Sequence, residues 1–279
     1  MSDRVIEPRG VRIGMRVVTG FVLAFLYIPL LVIVVYAFNE VRSQAWPIQG
    51  LSTKWFTVAW NNGEVRGALL TSVKAGLGAT AIALALGSLA AFAVHRFKFF
   101  GRETVSFLLV LPIALPGIVT GMALNSAINI GGDVFGLSFS LFTIIIGHAT
   151  FCIVVVYNNV IARLRRTSGS IVEASGDLGA DGWQTFRYVI LPNIATALMA
   201  GALLAFALSF DEIIVTNFTS GTETTLPKWI FNNLRLPNNR PQVNVVAFVV
   251  IVASFIPVYL AQRISSGSTS LTGGRRADV

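Results

Sequence analysis

Long apolar runs separated by short polar stretches organise this chain. A hydrocarbon core of about 30 Å takes about 20 helical residues to cross. Six runs reach that length, at 15–38, 68–94, 105–129, 139–162, 195–218 and 243–262. They predict an all-α integral membrane protein of six transmembrane helices within 15–262, flanked by an N-terminal tail at 1–14 and a disordered tail at 263–279. The first run follows Arg4, Arg9, Arg12 and Arg16, a pattern that also opens signal peptides. Its length, with no small-residue cleavage site after it, favours an uncleaved helix. The second run, KAGLGATAIALALGSLAAFA, is rich in small residues that let helix backbones approach closely, and predicts a helix packed among others. The third carries Pro112 and Pro116 in LPIALPG; each proline removes a backbone donor, so a kink or local break is expected there. Between the first two runs, LSTKWFTVAWNNG places Trp55, Phe56 and Trp60 on a short helix suited to the membrane interface.

Against this background SIVEASGDLGADGWQTFRYVILP, residues 170–192, is polar and punctuated by glycine. Ser170 and Glu173 spell the capping box S-x-x-E, and Asp181 and Gln184 a second, D-x-x-Q. Ile171, Ala174 and Leu178 fall on one face of the first helix so delimited, while Trp183, Phe186 and Ile190 stripe the next. Gly179 stands between them, where a positive φ costs glycine nothing. The expectation over 168–192 is helix, glycine turn, helix. Good capping explains the shape of such a connection but not a length of about thirty residues where six would do. An exposed apolar face on an ordered helix pair calls for a partner.

Composition agrees with the membrane assignment: 54% of the 279 residues are hydrophobic and 12% charged, against about one quarter charged in soluble domains. The net charge of +8 raises nucleic acid as a partner, but the placement of the charges argues for topology instead. Fourteen Lys and Arg fall in the tails and even-numbered loops, six in the opposite loops, and Lys74 lies within the second run. The excess puts both termini and the 168–192 loop in the cytoplasm, and nucleic-acid binding is not expected. The single cysteine, Cys152, allows no disulfide within the chain and no thiolate metal site. His148 has no second His or carboxylate at ligand spacing, so no metal is expected.

The run Glu173-Ala174-Ser175, then Gly179, then Val189, Leu191 and Pro192 resembles the EAA loop of ABC-importer permease subunits. That motif is EAA, three residues, G, nine residues, I, one residue, LP. The spacing matches throughout, with Ser175 for the second alanine and Val189 for isoleucine. YAFNEV, GLSTKWF, LPIALPGIVTG, GHATFC, ALSFDEIIVTNFTSG and TTLPKWIF extend the likeness over about residues 20–262, to the second of the two permeases of polyamine (spermidine/putrescine) importers. The resemblance implies a type I ABC importer permease fold in a bacterial inner membrane. It also implies a partner permease, two ATPase subunits and an extracytoplasmic solute-binding protein. Glu173, Ala174, Ser175, Gly179, Val189, Leu191 and Pro192 would form the ATPase-coupling element. The chain has no G-x-x-x-x-G-K-[ST] loop to cradle phosphates, so ATP and Mg would be used by the partner ATPase. No catalytic residue and no cofactor are expected here.

Near the outer end of the fifth run lie Asp211 and Glu212, about 10 Å in at 1.5 Å per residue. A carboxylate at that depth is costly unless it faces water or a partner, which makes both functional candidates. Three readings are open: they line a pathway for cations such as polyamines, they pair with Lys74 at similar depth, or they snorkel. Phe210, Tyr157 and Trp229 are candidates for cation–π contacts along such a pathway. Asn158 and Asn159 suit interhelical hydrogen bonds. The same machine for 4-aminobutyrate, ferric iron or an oxyanion is the neighbouring alternative, decided by what the binding protein takes. A self-sufficient secondary transporter predicts inverted repeats and coupling-ion motifs, and neither is visible. An intramembrane protease needs a nucleophile and base at matching depth, whereas the serine-rich TSGS lies in the cytoplasmic loop.

Overall fold

The structure is a computed structural model that describes residues 9–269. Among these the regular structure is helical, apart from an isolated bridge between Asn39 and Leu51. In chain order the helices are α1 (Arg9–Ala37), α2 (Lys54–Asn61), α3 (Gly63–Arg96), α4 (Arg102–Ala114), α5 (Gly117–Phe135), α6 (Leu141–Arg166), α7 (Gly169–Asp177), α8 (Gly182–Gln184), α9 (Leu191–Asp211), α10 (Ile214–Thr219), α11 (Leu226–Leu234) and α12 (Arg240–Thr269). Four helical stretches are long and apolar enough to cross a membrane: α1, α3, α6 and the continuous Gly182–Asp211. A bent pair, α4 and α5, makes a fifth if the two are counted as one span. The run expected at 243–262 lies within α12. α1 and α12 also reach into the two expected tails, over residues 9–14 and 263–269; residues 1–8 and 270–279 lie outside the described set.

Contacts sort the described residues into two units, one within Met1–Asn62 and Asn232–Ala253, the other within Gly63–Phe231 and Ser254–Val279. In the first, Phe38, Phe56 and Phe248 meet ring to ring at centroid separations of 5.0, 5.5 and 5.8 Å. The expected short helix is α2. It buries Trp55, whose Nε1 donates to the Glu40 carbonyl at 3.3 Å, and exposes Trp60. An aromatic pair split between core and exterior is what an interfacial helix requires.

The core of the second unit is built by α3, α6 and α9. Buried positions on α3 recur at Ala75, Ala79, Ala83, Gly87, Ala91 and Val94, a helical stripe of small side chains. A Cβ on Gly87 would stand 2.8 Å from the Ile153 carbonyl of α6, so glycine sets how closely these two helices pack. The third expected run is interrupted, and only one of its two prolines is responsible. Pro112 sits inside α4, while Leu115 is extended and Pro116 precedes α5, with a bend of 103° between the helices. Proline biases the residue before it away from helical ψ, and the break falls at that residue.

Candidate functional site

Two features of the second unit carry chemistry: the 168–192 loop and the end of α9. In the loop, α7 is capped differently from the sequence expectation. Its N-cap is Ser168, whose Oγ accepts from the Ser170 backbone and lies 2.6 Å from Ser170 Oγ. Ser170 is thus inside the helix, the Ser170–Glu173 box does not form, and Glu173 stands exposed without a capping role. The second box does form: Gln184 N–H donates to Asp181 Oδ1 at 2.7 Å, and Asp181 N–H donates to Gln184 Oε1 at 3.0 Å. α7 ends in a Schellman arrangement, with Gly179 at φ 84°, its N–H on the Gly176 carbonyl and the Ala180 N–H on the Ser175 carbonyl.

Ser175, the departure from the motif, is the residue that joins the two loop helices. It is buried, donates to the Val172 carbonyl at 2.8 Å and lies 2.9 Å from Thr185 Oγ1. Ala174 is exposed, as are Leu178 (88%) and Trp183 (68%). Trp183 stacks on Phe186, which meets Phe92 of α3 at 5.5 Å. The second loop helix does not stop before the membrane segment. It runs through a π-helical turn, Thr185–Ile190, directly into α9. Leu191 N–H donates to the Phe186 carbonyl, five residues back. Pro192 has no N–H and its ring would strike the carbonyl four residues earlier in a regular α-helix; the widened turn accommodates it. Val189 and Leu191 are half-buried on this turn, and the Val189 carbonyl accepts from Asn193 Nδ2 at 2.8 Å.

The fifth expected run, 195–218, is also two helices. α9 ends at Asp211, Glu212 is extended, and α10 follows at Ile214. Asp211 and Glu212 thus stand at a break rather than within a helix. Glu212 Oε1 accepts the Val215 N–H at 2.9 Å and its carbonyl accepts from Thr216 Oγ1 at 2.6 Å, so this carboxylate caps α10. His148, buried in α6, lies between Ser209 Oγ, 2.7 Å from Nδ1, and Thr216 Oγ1, 2.9 Å from Nε2. Thr216 has already given its one hydroxyl proton to Glu212, so it accepts from Nε2–H, and the neutral ring accepts at Nδ1 from Ser209. The far end of α10 is held by Thr143 Oγ1 on the Thr219 carbonyl and Asn125 Nδ2 on the Phe218 carbonyl, at 2.8 and 2.7 Å. Nothing in the residue pattern around His148 announced this network. Its partners are serines and threonines 61 and 68 residues away.

Asp211 is exposed and, with Glu212, lines an open cleft of about 520 Å³ walled by Ile113, Val155, Leu204 and Leu208. Lys74 is exposed and makes no ion pair with either carboxylate within 4.0 Å. The aromatic candidates are not in this cleft. Tyr157 is 3% exposed and donates to Ser106 Oγ, Trp229 is 3% exposed with Nε1 on Glu64, and Phe210 packs on Phe206. Asn159 donates to the Val155 carbonyl of its own helix, not across to another. Beyond the break, Lys228 Nζ donates to Ser220 Oγ and to the carbonyls of Gly221 and Glu223. Burial pushes its pKa below the ordinary lysine value, against the opposing pull of Glu223.

Comparison with known proteins identifies the family. Residues 83–268 match the family described as binding-protein-dependent transport system inner membrane component. The chain is 32% identical over 253 residues to the spermidine/putrescine transport system permease protein PotC of Shigella flexneri, covering 90% of this chain and 93% of the relative. It is 33% identical to the putrescine transport system permease protein PotI of Escherichia coli, covering 86% and 87%. Among solved structures, a bacterial ABC transporter that imports the acidic polysaccharide alginate superposes with a TM-score of 0.67 at 18% identity, over 94% of this chain and 98% of that one. The alginate transporter in complex with its pentasaccharide-bound periplasmic protein gives 0.69 at 15%, over 91% and 93%. This chain belongs to the inner membrane components of binding-protein-dependent transport systems, the permease subunits of ABC importers.

Proposed function

We propose that this permease forms half of the translocation pathway of an ATP-driven polyamine importer, carrying putrescine or spermidine, and that it couples to its ATPase through residues 168–192. The observation that carries the substrate is the identity of 31–33% across about nine-tenths of the chain with permeases named for spermidine and putrescine. The exposed Asp211 in an open cleft supports it, because polyamines are cations. As a permease subunit the chain is a non-catalytic transport component. ATP and Mg are used by two separate ATPase subunits, a second permease completes the pathway, and an extracytoplasmic binding protein delivers the cargo. Six spans, with both termini and the 168–192 loop cytoplasmic, complete the arrangement, in keeping with the distribution of Lys and Arg.

In this reading Leu178 and Trp183 insert into a cleft on the ATPase, and Glu173, free of any capping duty, faces the same partner. Asp211 supplies the pathway's negative charge, whereas Glu212 maintains the break. The test is uptake of labelled putrescine and spermidine by the complete importer in vesicles, with 4-aminobutyrate and ferric iron as competitors added to the binding protein. Polyamine uptake that the competitors leave untouched is expected; binding of either competitor in place of polyamine would overturn the substrate.

A further inference from the structure

A second cleft, of about 430 Å³, opens between α6 and α9 at the ends nearest the 168–192 loop, lined by Asn158, Asn159, Arg163, Arg166 and Thr196. It and the Asp211 cleft occupy one flank of the same helix pair. On α6 the lining positions 155, 158, 159, 162, 163 and 166 fall on one helical stripe, and on α9 so do 197, 204, 208 and 211. Between the two clefts the helices touch where Gly201 meets Val156 and Asn159. Thr196 and Asp211 are about 22 Å apart along α9. Arg163 Nε donates to the Asn193 carbonyl at 2.8 Å, which fixes its guanidinium. Neither Arg163 nor Arg166 forms an ion pair within 4.0 Å among the described residues.

We infer that this seam is graded in charge, carboxylate at one end and unpaired guanidinium at the other, and that Arg166 and Arg163 disfavour residence of the cation where it leaves. This rests on the polyamine pathway proposed above. A site that attracts a divalent cation at entry retains it equally well from either side. A basic exit lowers occupancy of the inner end, because a cation from the cytoplasm meets repulsion there before it reaches Asp211. The two arginines thus make the open exit a poor binding site for product, while ATP hydrolysis sets the direction of transport.

The test uses the whole importer in vesicles with ATP and unlabelled putrescine inside, binding protein and labelled putrescine outside. Replacing Arg166 by Glu should lower the internal putrescine concentration that halves uptake by about tenfold, and Arg166→Gln by about threefold, with external half-saturation unchanged. Asp211→Asn in the same vesicles separates the two ideas. If it weakens external half-saturation while the Arg166 variants leave internal inhibition unchanged, the charge grading is wrong and the pathway stands. If Asp211→Asn changes nothing, the pathway fails and the grading with it. An Arg166→Gln effect confined to vesicles containing phosphatidylglycerol would assign the guanidinium to a lipid headgroup and overturn the proposal. So would a matching fall in ATPase rate with no putrescine inside.

Discussion

The 168–192 loop and the break after Asp211 are both interruptions between apolar helices, and they are built in opposite ways. The loop is specified locally: its caps, its glycine turn and its Ser175–Thr185 contact join residues no more than ten apart. The break is specified at a distance, by His148 and Thr143 of α6 and Asn125 of α5 reaching into α9 and α10. A local device can present a surface to a partner without disturbing the bundle. A distant one can hold an irregular backbone inside it, where every polar group needs a partner from another helix.

Substitutions should separate these two constructions. The largest effect is expected from Gly179→Asp. The residue holds φ 84° with no atom within 4 Å of an added Cβ, so the strain amounts to about 1–2 kcal/mol. The permease should insert normally while uptake falls to background and the ATPase leaves the membrane fraction; retention of a stimulated ATPase would end the coupling assignment. Next is His148→Phe, which leaves Ser209 without its partner and should cost about 1–3 kcal/mol. Thermal unfolding of the purified complex reads it, and an unshifted midpoint would show that the break holds without the network.

Asp211→Asn comes third. It should raise the external half-saturation for putrescine several-fold with no change in thermal midpoint, whereas Glu212→Ala should lower the midpoint through the lost cap, by about 1 kcal/mol. Equal behaviour of the two neighbours in both assays would erase the distinction between pathway and cap. The smallest effect is Asp181→Ala, about 1 kcal/mol confined to an exposed loop, visible as faster amide exchange over 181–185 with transport nearly intact. Glu173→Ala sharpens this from the other side: transport should fall while exchange in α7 stays the same.

The same division explains what could be read from the chain. Local rules gave the small-residue stripe of α3, the short helix α2, the Asp181–Gln184 box and the turn at Gly179. They misplaced the first cap because Ser168 and Ser170 are both competent, and a capping pattern alone does not choose between them. They ran the fifth segment straight through to residue 218 because Asp211–Glu212 contains neither proline nor glycine. The break there depends on Glu212 turning to cap α10 and on His148, and no periodicity carries that. Tyr157 and Trp229 are buried within the chain: an aromatic ring suited to a cation is equally suited to a core, and only contacts decide.

The π-helical turn at Thr185–Ile190 has one more consequence. With it, Gly182–Asp211 is a single rod of 30 residues, and the turn's one surplus residue rotates everything beyond it by about 100° relative to a regular helix. Trp183 at one end and Asp211 at the other are therefore held at a set phase angle. Deleting one residue from the turn would keep both side chains but put Pro192 in a regular helix, with the kink that follows, and aim the two ends in directions that no longer correspond.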